Sequence, residues 1–180
     1  MSIMIRAGVA TDAAALAELA ARTFRETFAA DNRPEDIALH TAHAHGTSQQ
    51  ERELADPDIA TLLVEVDGQL AGYAQLRSSV PPACVTGEEP IELWRFYIAQ
   101  SWQGRGVAHA LMRKVERDAY RRGGRTLWLG VWERNERAKA FYHKNGFMDV
   151  GSHVFMVGTD AQTDRILVRP LTAVISNGAA

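Results

Sequence analysis

The chain has one cysteine, Cys84, among 180 residues, which excludes an internal disulfide and a zinc site built on several thiolates. It also lacks any apolar run near the roughly 20 residues that a membrane-spanning helix needs. Residues 1–7 lack the apolar core of a secretory signal. His40 and His43 have no cluster of carboxylates beside them in the sequence. We therefore expect a cytoplasmic protein with no membrane association and no bound metal.

Charge is distributed unevenly along the chain, although the formal net charge is only -2. Residues 95–144 hold 12 lysines and arginines and 4 acidic side chains, whereas the rest of the chain holds 8 basic and 18 acidic ones. A basic central block suits a ligand that carries several phosphates, and an acidic remainder suits a cationic acceptor. Ordinary charged helix surfaces explain the acidic remainder equally well. The net charge and the lack of a basic tail argue against a nucleic-acid partner.

A glycine-containing hexamer, Gln103 to Ala108, follows an apolar strand over 93–98 and opens a long amphipathic helix. Its glycines let the backbone approach a ligand closely, and the first turn of a helix has N–H groups without intrahelical acceptors. These donors and the positive end of the helix dipole suit a pyrophosphate. The sequence therefore predicts a phosphate-binding turn.

A second motif follows the strand expected over 126–131. Asn135, Ala138 and Tyr142 are spaced by three and then four residues, so a helix would carry them on one face. An amide and a phenol are thereby presented along one line. Gly146 is placed to end this helix in the left-handed conformation.

Together the two motifs read strand, Q-x-x-G-x-A, helix, strand, N-x-x-A-x-x-F-Y-x-x-x-G-F. This order resembles the GCN5-related N-acetyltransferase (GNAT) superfamily, and the motifs span residues 92–147. The resemblance implies an α/β (α+β) fold in one domain over residues 1–180. Its central sheet would be mixed but mostly antiparallel, with about seven strands splayed between the fourth and fifth and with four to five flanking helices. More weakly, residues 157–164, with 24–28 and 91–97, are similar to bacterial spermidine/spermine N-acetyltransferases.

The resemblance also implies acetyl-CoA as cosubstrate and a set of residues that bind it. Backbone groups of Phe96, Tyr97 and Ile98 would pair with the pantetheine arm. Asn135 would contact the pantetheine, and Lys139 or Lys144 would reach a phosphate. The pyrophosphate would be held by Gln103, Gly104, Arg105, Gly106, Val107, Ala108 and His109. Many members have glycine where this chain has Ala108, which is a permitted variant.

Two residues match catalytic positions of the family. Tyr142 matches the tyrosine that donates a proton to the coenzyme A thiolate; the alternative is an aromatic core residue. Glu92, at the start of the central strand, matches a carboxylate that deprotonates the acceptor, often through water. The alternative for Glu92 is an ion pair at the strand end with Arg95 or Arg77. Glu26 and Glu133 are reserve candidates for the base.

The expected reaction is acetylation of a primary amine by direct attack in a ternary complex, with a polyamine or a similar small amine as acceptor. Alternatives are acetylation of a protein N-terminus or lysine, and a non-catalytic acyl-CoA sensor. A nucleotide-binding oxidoreductase is disfavoured because G-x-G-x-x-G is absent. The last strands of many family members form dimers, which implies a homodimer here.

Hydrophobic periodicity and turn signals predict the remaining elements. Helices are expected over 12–29, 34–43, from about 47, over 106–122 and from 135. Strands are expected over 3–7, 60–66, 70–77, 92–98, 126–131, 147–157 and 165–169. A proline-containing loop is expected over 78–90 and a loose tail over 173–180.

Overall fold

The computed structural model describes residues 1–157 and 160–173, and within them a seven-stranded sheet carries five α-helices. The strands are β1 (Ile3–Ala7), β2 (Ile59–Val66), β3 (Gln69–Arg77), β4 (Pro90–Ile98), β5 (Thr126–Trp132), β6 (Met148–Val157) and β7 (Asp160–Pro170). The helices are α1 (Ala13–Phe28), α2 (Pro34–Ala44), α3 (Thr47–Ala55), α4 (Val107–Arg121) and α5 (Glu136–Lys144). The strand order is β1-β2-β3-β4-β5-β7-β6.

The observed sheet confirms the predicted fold class. All neighbouring strands are antiparallel except β4 and β5, which are parallel. Two strands start two or more residues earlier than expected: β4 begins at Pro90 and β7 at Asp160. The start of β7 is polar, so its sequence resembles a loop, but residues 160–163 pair with β6, and from Asp164 onward the strand pairs with β5 as well. Most of the expected tail, residues 174–180, lies outside the described residues.

Helices cover both faces of the sheet. Successive strand side chains point to opposite faces, and in β2 this alternation sends Leu63 towards α1 and Leu62 towards α4. The α1 side buries Leu16 with Tyr73, and the α4 side contains the larger apolar cluster. Among the described residues, no helix has both the length and the apolar character needed to cross a bilayer.

The pairing of β4 with β5 is short. It covers Pro90, Ile91 and Glu92 of β4 against residues 126–128 of β5. Beyond this point β4 pairs only with β3, and β5 pairs only with β7. The two strands therefore separate over residues 93–98, which confirms the predicted splay.

A bulge in β4 accompanies the separation. The register with β3 shifts between Gln75 and Leu76, where Trp94 is the additional residue on β4, and bulges of this kind bend a strand. The next residue, Arg95, is buried and donates to Glu53 of α3 at 2.5 Å and to Gln75 at 2.7 Å. This ion pair anchors the bent segment of β4 to the helices on the α1 side.

Candidate active site

A cavity of about 750 Å³ opens where β4 and β5 separate. Its walls come from both faces of the sheet. On the α4 side, Phe96 and Tyr142 contribute, and both pack in the large apolar cluster. On the α1 side, Phe28, Tyr97 and Trp132 contribute, and they pack in a separate cluster. The separation of β4 and β5 therefore makes an opening through the sheet, and this opening connects the α1 side with the α4 side.

At one end of the cavity a tight turn leads into α4. Gly104 and Gly106 have φ values of +73° and +83°, in the left-handed region that favours glycine. Gly106 is the N-cap residue, and within the described chain no side chain caps it. The N–H of Ala110 is the first to bond back to Gly106 O, so the N–H groups of residues 107–109 have no intrahelical acceptor. Such a helix end binds phosphate groups.

The turn is fastened to the end of β4. The side-chain amide of Gln103 donates to the carbonyl oxygen of Ile98 at 2.8 Å. Both residues line the cavity. This hydrogen bond therefore fixes the position of the glycine turn relative to the unpaired edge of β4.

Helix α5 forms another wall of the cavity. Asn135 is its N-cap, and Oδ1 of Asn135 accepts a hydrogen bond from the N–H of Ala138 at 3.1 Å. Tyr142 is buried and makes edge-to-face contacts with Phe96 and Phe141. Burial raises the pKa of the Tyr142 phenol above its usual value. The phenol therefore keeps its proton at neutral pH and can donate it.

The α1 end of the cavity is aromatic and carries one carboxylate. The rings of Phe28 and Trp132 lie 5.5 Å apart, and burial raises the pKa of Tyr97 to about 12. Asp164 of β7 lies opposite Trp132 in the strand register and is 8% exposed. Its carboxylate also lies over Gly130, where a Cβ would stand 3.0 Å from Oδ2. A side chain at position 130 would therefore displace this carboxylate.

The profile of the family described as Acetyltransferase (GNAT) family matches residues 13–147. The chain belongs to this family. A relative from Lactobacillus delbrueckii subsp. lactis, named an uncharacterized N-acetyltransferase in the pepI 3′ region, is 36% identical over 149 residues, 83% of this chain and 86% of the relative. An uncharacterized N-acetyltransferase of Mycobacterium tuberculosis is 36% identical over 162 residues, 89% of this chain and 99% of the relative.

Solved structures of other members have the same fold. The PaiA N-acetyltransferase of Thermoplasma acidophilum, solved in complex with coenzyme A, aligns with a TM-score of 0.75 at 24% identity over 94% of this chain and 99% of that one. The family and its named relatives identify the chain as a GNAT N-acetyltransferase. The resemblance inferred from the two motifs is thereby confirmed.

Most of the residues predicted to bind the cosubstrate line the cavity of this acetyltransferase. They are Phe96, Tyr97, Ile98, Gln103, Gly104, Gly106, Ala108, His109 and Asn135. The predicted proton donor Tyr142 lines it as well. The described residues contain no group of three or more His, Cys, Asp or Glu side chains that could hold a metal ion.

Three of the residues predicted to bind the cosubstrate do not line the cavity. Arg105 is exposed on the turn, Val107 is buried in the core, and Lys144 is exposed at the last position of α5. Lys139, the other lysine considered, bonds to a carboxylate one turn away. The sequence reasoning missed Arg137, an exposed side chain on the first turn of α5 that does line the cavity.

Glu92 also lies outside the cavity lining. Its carboxylate accepts hydrogen bonds from Arg77 at 2.6 Å and from Ser79 at 2.7 Å. The reason is the register, because Arg77 lies directly opposite Glu92 where β4 and β5 are still paired. This placement favours the alternative of a strand-end ion pair over the role of base. The reserve candidates Glu26 and Glu133 are exposed and outside the lining as well.

Asp164 is the acidic residue that does reach the cavity, and the sequence reasoning missed it. It falls in the polar segment between the strands expected over 147–157 and 165–169. The sequence did contain a signal for its position. Asp164 stands two residues before Ile166 and four before Val168, so the two-residue alternation of a strand places all three on the same face of β7. Among the described residues, no hydrogen-bond donor reaches its Oδ1. Burial raises the pKa of Asp164 to about 6.

Asp164→Asn should raise the free energy of unfolding at neutral pH, because it removes a buried charge that has no partner. The pKa of Asp164 is about 6 in the folded chain and about 3.9 in an unfolded one. Wild-type stability therefore falls as the pH rises between these two values and stays lower above them. The variant lacks this fall, and urea unfolding at a series of pH values should find it more stable by about 1 to 3 kcal/mol at neutral pH.

Asp149→Asn is the matched control on the neighbouring strand. Hydrogen bonds from Arg165 lower the pKa of Asp149 below its usual value. The ionised carboxylate therefore stabilises the folded chain above the pKa that Asp149 has in the unfolded chain, and this stabilisation is lost in acid. This variant should be slightly less stable than the wild type at neutral pH. Identical stability-against-pH curves for the wild type and Asp164→Asn would contradict the assignment of an uncompensated carboxylate.

Proposed function

We propose that this enzyme binds acetyl-CoA and a small cationic molecule together and transfers the acetyl group to a primary amine of that molecule by direct attack. The observation that carries the proposal is the cavity through the splayed sheet. It joins a glycine turn with open backbone donors on the α4 side to an aromatic, carboxylate-bearing end on the α1 side. Two substrates can therefore meet between β4 and β5.

The α4 end suits the coenzyme. The N–H groups of residues 107–109 are available to a pyrophosphate, and Arg137 supplies positive charge across the cavity. The backbone of residues 93–98 has no strand partner on the β5 side, so the amides of a pantetheine arm can pair with it as an added strand would. The PaiA enzyme solved with coenzyme A has the same fold, which supports this placement.

The α1 end suits a small cationic acceptor. Its walls are the rings of Phe28, Tyr97 and Trp132, and its charged group is the buried carboxylate of Asp164. Aromatic faces and a carboxylate both attract an ammonium group. The cavity volume falls in the range of small-molecule sites. Polyamines belong to this class of acceptor, as do other small primary amines.

Tyr142 is the proposed proton donor to the departing thiolate. Its phenol is buried, lines the cavity and keeps its proton at neutral pH. Acetyl transfer breaks the C–S bond of the thioester, and a proton placed at that sulfur makes the thiolate a better leaving group. The cytoplasmic location and the homodimer implied by the family resemblance stay predictions.

A panel of acceptors tests the proposed function. Release of coenzyme A thiol from acetyl-CoA should be detected with at least one small primary amine, tested among polyamines, amino acids and aminoglycosides, and calorimetry should detect cofactor binding. Turnover confined to peptides would favour the protein acetyltransferase instead. Cofactor binding without turnover on any amine would favour the acyl-CoA sensor, and the absence of cofactor binding would contradict the proposal outright.

Gly106→Val should weaken acetyl-CoA binding at least tenfold, or about 1.4 kcal/mol, because a side chain would cover the backbone donors of the turn. Gly123→Val is the matched control, since Gly123 has φ +95° at the opposite end of α4 and open space around its Cβ position. Both variants should lose about 1 to 3 kcal/mol of stability from backbone strain. Calorimetric titration would contradict the assignment if the two variants bound acetyl-CoA equally well.

Tyr142→Phe should lower kcat by about 100-fold or more, because it removes the proton for the thiolate, and should leave acetyl-CoA affinity nearly unchanged. Tyr73→Phe is the control, since Tyr73 is fully buried with its hydroxyl unpartnered among the described residues and lies outside the cavity lining. That variant should keep wild-type kcat. Equal kcat values for the wild type and Tyr142→Phe would remove Tyr142 from this role.

A further inference from the structure

The carboxylate of Asp164 has no partner in the described chain that explains its burial. The side chain is 8% exposed, lines the cavity, and has an Oδ1 atom that accepts no hydrogen bond within residues 1–157 and 160–173. Burying an ionised carboxylate without a partner is costly. Strands β5 and β6 pair with β7 on both sides of this position and hold the side chain there. An uncompensated carboxylate in a cleft is a functional-site feature.

The groups around Asp164 leave its charge uncompensated. From β5 it meets Gly130 and Trp132, and from β6 it meets His153, which lies opposite it in the register. From β4, Tyr97 faces it as a neutral phenol. From α1, Thr27 and Phe28 complete the wall.

Two arginines line the same cavity but do not pair with Asp164. Arg95 is held by Glu53 of α3 at 2.5 Å. Arg137 is exposed on α5, whose apolar side chains pack on the α4 side. Among the described residues, no ion pair involves Asp164. The missing partner is therefore expected from outside the chain, as a cation.

We propose that Asp164 is the general base of the reaction, which receives the ammonium group of the acceptor and removes a proton from it. The inference rests on the proposed function, since it assigns the base for that same transfer. An N–H bond of the ammonium breaks and an O–H bond forms on Asp164. The nitrogen lone pair then forms the C–N bond while the C–S bond of the thioester breaks.

The remaining protons also balance. The thiolate receives a proton from Tyr142, and the tyrosinate takes the second proton from the nitrogen as the amide forms. Asp164 returns its proton to solvent, so one ammonium and one thioester give one amide, one thiol and one released proton.

The environment of Asp164 matches this task. At neutral pH only about one in a thousand alkylamine molecules is unprotonated, because an alkylammonium has a pKa of about 10.4. A base works best when its own pKa lies near the working pH. Burial raises the pKa of Asp164 to about 6, which keeps it ionised at neutral pH and makes it a stronger base than an exposed aspartate.

Asp164→Asn tests the inference, with the acceptor found in the amine panel. At neutral pH kcat/KM should fall about 100-fold or more, while calorimetric affinity for acetyl-CoA stays within twofold. The wild-type profile should lose activity below about pH 6, where Asp164 becomes protonated. The pH profile of the variant should lack this loss of activity below about pH 6. The difference in kcat/KM between the wild type and the variant should shrink as the pH rises, because more of the amine is then unprotonated.

A weakly basic acceptor separates proton removal from a structural role. Trifluoroethylamine is largely unprotonated at neutral pH and needs no base, so the wild type and Asp164→Asn should acetylate it at similar rates. A structural defect would slow both acceptors equally at every pH, and that result would overturn the inference.

Two control variants identify the titrating group. Asp149→Asn removes a surface carboxylate that is paired with Arg165 and should keep the wild-type profile. His153→Gln should keep the acidic limb, and loss of that limb only in this variant would overturn the inference in favour of His153. If the wild type acetylates amines and Asp164→Asn keeps its rate and profile, only the base assignment fails. If the wild type acetylates no amine, the proposed function fails with it.

Discussion

The site depends on the early end of the pairing between β4 and β5. These central strands share three residue pairs, 90–92 with 126–128, and then separate, although β5 continues to pair with β7 as far as Trp132. The bulge at Trp94 bends β4, and the buried ion pair of Arg95 with Glu53 fixes the bent segment to α3. Continued pairing would close the sheet and leave the two faces unconnected.

The opening joins two environments with different chemistry. The α4 side offers backbone donors at a helix end that suit phosphate, and the α1 side offers aromatic rings and the carboxylate of Asp164. Asp164 is held in an apolar setting because its strand lies between β5 and β6. Its uncompensated charge lowers the stability of the free enzyme and favours a cationic ligand. Stability and function therefore make opposite demands on this residue.

The sequence predicted the parts of the site that depend on local structure. The turn from Gln103 to Ala108 and the cap at Asn135 follow from glycine conformation and helix spacing, and both lie where those patterns indicated. The choice of carboxylate could not be predicted in the same way. Glu92 lies opposite Arg77 and Asp164 lies opposite Trp132, and these registers depend on segments far apart in the chain. Lys144 lies outside the cavity lining because it is exposed at the last position of α5, two residues beyond Tyr142 and on another face of the helix.

A crystal structure with a bisubstrate analogue, in which coenzyme A is joined through its sulfur to an acetylated amine, tests the central claim most directly. The account predicts the pyrophosphate at the turn of Gly104 and Gly106, the pantetheine between β4 and β5, and the acceptor portion emerging on the α1 side beside Trp132 and Asp164. An analogue bound with both portions on the α4 side, or outside the splay, would contradict the claim that the reaction takes place through the sheet.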